Sequence, residues 1–170
     1  MSTDSRAKKE MNDKVNAHLR GLKKQMFEIE CEVLEGGKLP NKAHYTDAGF
    51  DVFATEDIEI YPGAIIKHPL NIKLKLPAGS WARIETKSGL GSKGMLVYAG
   101  VVDQEYRGIP HVIATNLNHA DDKPIVVKKG EKLAQITMNP HSLEFYMKQV
   151  ESVDANTARG AGGFGSTGVK

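Results

Sequence analysis

The chain has 170 residues, a single cysteine and a formal charge of +2. Its length fits one domain at ~100–200 residues each. A lone cysteine excludes an internal disulfide framework and fits a reducing, intracellular (cytoplasmic) compartment. No apolar run approaches the roughly 20 residues that span a bilayer, so no membrane partner is expected. The leading MSTDSRAKKEMNDK has no apolar core of the kind signal peptides carry. The charge is uneven: residues 1–26 hold seven Lys/Arg against three Asp/Glu, a net of +4, which leaves −2 for the remainder.

Residues 5–26 read as a basic helical extension. Met11, Val15, Leu19, Leu22 and Met26 recur at spacings of four, four, three and four, on one helical face. Asp4 or Ser5 is placed to cap its start. From Phe27 the period becomes two: Phe27, Ile29, Cys31 and Val33 alternate with Glu28, Glu30 and Glu32, as in a half-buried strand. Strand-like runs follow at Phe50–Ala54, Ile58–Ile60, Ala64–Lys67, Leu70–Leu76, Trp81–Glu85, Met95–Tyr98, His111–Thr115, Ile125–Val127, Leu133–Met138 and Phe145–Val150. Turn signals such as Pro62-Gly63, Lys129-Gly130 and Asn139-Pro140 separate them. Many short strands at this spacing predict an all-β sandwich or jelly roll. The absence of βαβ alternation disfavours a doubly wound nucleotide fold. The expected organisation is an extension over 1–26, a β core over 27–150 and a C-terminal arm over 151–170.

Five segments carry candidate chemistry. RGAGGFGSTG, residues 159–168, offers backbone amides and the hydroxyls of Ser166 and Thr167 to an anion, with Arg159 as a fixed charge. Phe164 is its one large apolar group and has no core to join, so stacking on a planar ring is a role open to it. Read alone, the segment is equally a disordered glycine-rich tail. TKSGLGSKG, residues 86–94, is a second glycine-rich cationic segment suited to phosphate, or a basic loop. In GVVDQEYRG, residues 100–108, Asp103 sits at a strand end, where a carboxylate near phosphates can deprotonate a water. Asp51 lies inside a strand, where an acid faces solvent or a polar partner. Gln135, between apolar neighbours, can present an amide to phosphate. Together the segments suggest a nucleoside polyphosphate bound with the help of a metal.

In order and spelling these segments resemble the five motifs of the trimeric deoxyuridine triphosphate nucleotidohydrolases (dUTPases). AGxD is matched by Ala48-Gly49-Phe50-Asp51. RSGLxxKxG is matched from Lys87 to Met95, with lysine in the arginine position and Met95 where the last glycine stands. GxIDxDYRG is matched from Gly100 to Gly108. GxRIAQ is matched from Gly130 to Gln135, with Lys132 as its cation. RGxGGFGSTG is matched from Arg159 to Gly168. The resemblance covers about residues 27–170. It implies a jelly-roll-like β subunit and a homotrimer whose active sites are shared, with the C-terminal arm closing over a neighbour's site.

The same resemblance implies hydrolysis of dUTP to dUMP and pyrophosphate, with Mg²⁺. Asp103 matches the acid that activates the attacking water. Tyr106 matches the tyrosine under the deoxyribose. The backbone of Gly100, Val101 and Val102, with His111, matches the hairpin that reads uracil. Lys87, Ser88, Gly89 and Gln135 match phosphate contacts. Arg159, Phe164, Gly165, Ser166 and Thr167 match the lid. Asp51 matches an acid near the metal, acting through water. Two other readings stand beside it. One is a nucleotide-sensing regulatory module, motivated by Lys87 and the extra helix; the other is a dCTP deaminase, disfavoured by the spelling of the third motif. Nucleic acid is not expected as a partner, because the basic extension carries an apolar stripe suited to packing.

Overall fold

The computed structural model describes residues 27–140, 145–153 and 156–157. Among them the chain forms eleven strands and one helical turn. In chain order these are β1 (Glu30–Val33), β2 (Gly49–Phe53), β3 (Ile58–Ile60), β4 (Ile65–Pro69), β5 (Ile72–Lys75) and β6 (Ser80–Glu85), then α1 (Ser88–Gly91). They are followed by β7 (Met95–Tyr98), β8 (Val101–Val102), β9 (His111–Asn116), β10 (Ile125–Val127) and β11 (Lys132–Pro140). All pairings are antiparallel. The sheets run β1-β5, β10-β3, β4-β9-β7 and β2-β11-β6-β8, in an all-β, jelly-roll-like arrangement.

The core follows the period of two. Leu70, Ile72, Leu74 and Leu76 are buried, while Lys75 points to water. Ile60, Ile72, Leu133, Val112 and Val127 are among the largest fully buried side chains. Burying each such side chain is worth about 1.5–3 kcal/mol. The run 70–76 is a strand only over Ile72–Lys75. Asn71 has φ +48, and its side-chain amide donates to the Glu35 carbonyl, which breaks the ladder before Ile72.

Polar groups inside the body are satisfied. Asn116 is fully buried; its Nδ2 donates to the Ile60 carbonyl at 2.9 Å, and its Oδ1 accepts from the Asn118 amide at 2.9 Å. His68 is also buried, and its Nε2 accepts from the Thr55 amide at 2.9 Å. Nε2 therefore carries no proton. Burial pushes the His68 imidazole below its ordinary pKa, with Glu56 opposing and His111 adding to the effect.

Two expectations are corrected. Phe145–Val150 forms no strand. Phe145, Tyr146 and Met147 are almost fully exposed: the apolar residues of this run stand side by side rather than alternating, and no strand among the described residues pairs with it. At the other end, β1 starts only at Glu30; Ile29 just before it and Cys31 within it are partly buried, while Phe27 and Val33 are exposed. Its single partner, β5, pairs Glu30 with Lys75 and Glu32 with Lys73, so their charges meet on the wet face. The helix expected over 5–26 lies outside the described residues.

Candidate functional site

The sheet β2-β11-β6-β8 gathers four of the five segments. β2 carries Asp51. Opposite it on β11 stands Gln135, and opposite Gln135 on β6 stands Glu85. Two residues beyond Glu85, Lys87 opens α1, so the glycine-rich second segment starts where β6 ends. β8, paired to the far edge of β6, brings in the third segment. Strand pairing alone thus joins stretches far apart in the chain.

At the first of these positions sits a three-charge cluster. Asp51 is buried, 6% exposed. Its Oδ1 accepts from the Lys87 ammonium and its Oδ2 from the Lys132 ammonium at 2.6 Å. Burial pushes the carboxyl pKa up, but hydrogen bonds and charge from Lys132 and Lys87 outweigh it and hold it below the ordinary range. Asp51 is fixed from the backbone as well: its amide donates to the Asn41 carbonyl at 2.7 Å, and its carbonyl accepts from the Asn41 amide. Gly49 brings the backbone close to Gln135, since a Cβ there would lie 3.1 Å from Gln135 Oε1.

Thr86 braces the cluster. Its carbonyl accepts from Gln135 Nε2 at 3.3 Å, and its hydroxyl accepts from the Val97 amide at 2.7 Å. The turn α1 then presents Ser88 and Gly89 to solvent. A Cβ on Gly89 would meet nothing within 4 Å, and its φ is not positive. Neither packing nor conformation in this subunit demands glycine at 89. A small residue in an exposed first turn, where amides lack partners within the helix, suits close approach of an anion.

The third segment is built differently. Ala99, at φ +53, and Gly100 carry the chain from β7 to β8. A Cβ on Gly100 would fall 2.2 Å from the Ile84 carbonyl oxygen, so only glycine lets this backbone lie against β6. Val101 is exposed and Val102 buried. Asp103 follows and is exposed. Tyr106 lies over Gly108, its hydroxyl donating to the Ile109 carbonyl at 3.2 Å. Gln104 Oε1 accepts from the Gly79 amide at 2.7 Å, and Arg107 donates to the Gln104 and Tyr106 carbonyls. His111 Nδ1 is 2.8 Å from the Ile109 carbonyl, which can only accept, so Nδ1 donates.

The structure therefore brings Asp51, Lys87 and Gln135 together, with Ser88 and Gly89 beside them. It keeps Gly100, Val101, Val102, Asp103, Tyr106 and His111 as a second group. Val102 is level with Ala82 on β6, three residues from Glu85 and so roughly 10 Å along the strand at ~3.3 Å per residue. Within one subunit Asp103 is not beside the lysine cluster. Arg159, Phe164, Gly165, Ser166 and Thr167 lie outside the described residues. Thr86 was not singled out from the sequence, and Lys132 was matched to the fourth motif without a role. For Lys132 a signal existed: an acid inside a strand needs a polar partner, and the fourth segment supplies a cation near its start.

Among the described residues no three His, Cys, Asp or Glu side chains gather into a metal-binding group. Asp51 already receives two ammonium groups. This donor set offers no all-protein cage. It fits a Mg²⁺ carried by phosphates and waters, with spare Asp51 lone pairs taking a hydrogen bond from a bound water.

Comparison with known proteins closes the description. The family model described as dUTPase matches residues 35–168. The deoxyuridine 5′-triphosphate nucleotidohydrolase of Alkaliphilus metalliredigens is 37% identical over 149 residues, covering 85% of this chain and 100% of the relative. The Pol polyprotein of an ovine maedi visna related virus is 37% identical over 133 residues, which cover 78% of this chain and 12% of that protein. Among solved structures, the dUTPase of Staphylococcus bacteriophage 80alpha with dUPNHPP superposes with a TM-score of 0.72 at 25% identity, covering 84% of this chain and 99% of that one.

Proposed function

Since the chain belongs to the dUTPase family, we propose that it hydrolyses dUTP to dUMP and pyrophosphate at sites shared between the subunits of a homotrimer. One observation carries the reading: the first, third and fourth segments lie on strands of one sheet and the second starts where its β6 ends, with Asp51, Gln135 and Glu85 in register and Lys87 bound to Asp51.

In this reading the triphosphate lies over α1. The first-turn amides at Ser88 and Gly89, the Gln135 amide and the Lys87 ammonium meet phosphate oxygens. Lysine keeps the charge of the family's arginine without its bidentate fork. The hairpin Gly100–Val102 reads uracil with main-chain groups, and His111, bonded through Nδ1 to the Ile109 carbonyl, steadies the hairpin's return. Tyr106 packs under the deoxyribose. Asp103, exposed at the end of β8, takes the proton from a water attacking the α-phosphorus in line, a role worth about 10²–10⁴ in rate. Mg²⁺ would come mainly with the phosphates and water, with Asp51 as the residue to hold it through a water, and would supply charge neutralisation for the leaving pyrophosphate. Arg159, Ser166 and Thr167 close on phosphates, Gly165 allows close approach, and Phe164 covers the base.

The separation of Asp103 from the lysine cluster supports a shared site, because one chain does not bring its own acid to its own phosphate cradle. The exposed run Phe145–Val150 supports an assembly as well. It carries large apolar side chains, and no strand among the described residues pairs with it. Among the described residues no helix is long and apolar enough to cross a membrane, and Cys31 is a free thiol. Both fit the cytoplasm.

The deciding experiment is steady-state pyrophosphate release from dUTP, UTP, dCTP and dTTP, with and without Mg²⁺. Mg²⁺-dependent release from dUTP alone is expected. Binding of dUTP without release would overturn the proposal.

A further inference from the structure

Asp103 has the proton-accepting role above, yet among the described residues its exposed carboxylate makes no hydrogen bond and no ion pair. Where it stands is therefore set by its backbone. Building on the dUTP reading, we propose that Gln104 is a positioning residue for Asp103: its side chain ties the turn that carries the acid to the start of β6.

The need for a tie follows from the strand pairing. β8 is only two residues long, and its register with β6 ends at Val102 opposite Ala82. Beyond that pair the strands part. The chain makes a tight turn instead, the Tyr106 amide donating to the Asp103 carbonyl at 3.1 Å. Turning away puts Asp103 in water, and it also ends the ladder that would have fixed the acid. A turn hung on so few ladder bonds opens easily by itself.

Gln104 takes over where the ladder stops. Its Oε1 accepts from the Gly79 amide at 2.7 Å, one residue before β6 begins. Gly79 sits at φ +73 in the turn leading into β6, and Ser80 Oγ donates to the Pro77 carbonyl at 2.7 Å, so the donor is itself fixed. From the other side, Arg107 donates to the Gln104 carbonyl at 2.7 Å. The residue next to the acid is thus gripped by side chain and main chain, and it is half-buried while Asp103 and Glu105 are exposed. The hairpin Gly100–Val102 lies before this turn, and the phosphate contacts lie on other elements. Loosening the turn moves the acid and leaves the ligand in place. A general base must stay within hydrogen-bond reach of its proton, and a shift of about 1 Å can cost about 10²-fold.

Steady-state kinetics of the full-length protein test this. Gln104→Met keeps the bulk of the side chain and removes the acceptor; it should lower kcat for dUTP about 10–10²-fold and leave KM near wild type. Gln104→Glu offers the same acceptor and should restore most of kcat. Asp103→Asn/Gln104→Met should turn over no slower than Asp103→Asn alone, because no acid is left to position. A wild-type kcat in Gln104→Met would overturn the inference, as would a loss that persists in Gln104→Glu or adds in full to that of Asp103→Asn. Amide hydrogen exchange reads the tie without turnover: Gly79 and Tyr106 should exchange faster in Gln104→Met while β9 stays protected. Unchanged exchange at both, or a rise across all the sheets, would also sink it. A wild type that turns over no dUTP would refute the dUTP reading and with it the catalytic purpose of the tie. An active wild type with an unaffected Gln104→Met would refute this inference alone.

Discussion

The lysine cluster on β2-β11-β6 and the hairpin after β8 differ in how they are held. The cluster is built from side chains: a buried acid and an amide inside two paired strands, with one cation at the start of β11 and the other in the turn after β6. The hairpin is built from main chain, with side chains that mostly hold the backbone in shape. One region gathers charge, and the other presents a rigid outline. A ligand with a charged tail and a flat, neutral head needs both. Discrimination of the head then falls to the region where side-chain chemistry is least conspicuous.

The comparison breaks most visibly at Asp103. Asp103→Asn should lower dUTP turnover by about 10³-fold while leaving nucleotide affinity near wild type. Its melting temperature should hold, because the side chain is exposed. Loss of affinity equal to the loss of rate would move Asp103 from the hairpin's chemistry to binding.

Next comes Lys87→Gln, expected to cost about 10²-fold in kcat/KM, the scale of removing one preorganised charge donor. Lys87→Arg should keep most of that activity. Equal damage by arginine would mean that the cluster fixes geometry more tightly than charge.

A pair of glycine substitutions sharpens the contrast in stability. Gly100→Ala drives a Cβ against the Ile84 carbonyl and should cost about 1–3 kcal/mol in urea unfolding, with loss of turnover. Gly89→Ala meets open space and should leave the unfolding midpoint of the unliganded protein unchanged while weakening dUTP binding. Destabilisation by Gly89→Ala would show that α1 is part of the fold rather than a surface for a ligand.

The smallest effect is in pH. His68 titrates below its ordinary value in the folded chain, so the unfolded chain takes up the proton first. Stability is full above about pH 6.5 and falls as pH drops through that value. Asp51, also depressed, adds stability that is present above about pH 4 and is lost as pH falls further. Chemical denaturation between pH 7.5 and 5 should show the first decline in wild type and not in His68→Gln.

Much of this arrangement is legible in the sequence. Ile58–Ile60, Met95–Tyr98 and Ile125–Val127 fall on the predicted bounds, because turn residues flank short alternating runs. The turn α1 was hidden, since Ser88-Gly89-Leu90-Gly91 has poor helix propensity and forms one turn only. Phe145–Val150 misled for the opposite reason: it is apolar and free of glycine and proline, but such content does not supply a partner strand. For the site, the segments identify Asp51, Lys87 and Gln135 singly. Their meeting depends on strand register, which no local motif encodes. That Lys132 reaches Asp51 depends on register too, which sets it across from Phe53, two residues from Asp51.

Ala99 and Gly100 have one more implication. They are the whole link by which the chain leaves the three-stranded sheet for the four-stranded one. If base identity is read from the main chain just after this link, most substitutions in the hairpin leave that reading intact. A drifting sequence can then change its surface freely and keep its substrate. A new base preference would have to arise by altering the link itself, through an insertion, a deletion or the loss of Gly100. Such a site tolerates mutation well and is hard to retrain, and libraries meant to shift its specificity should vary loop length before side chains.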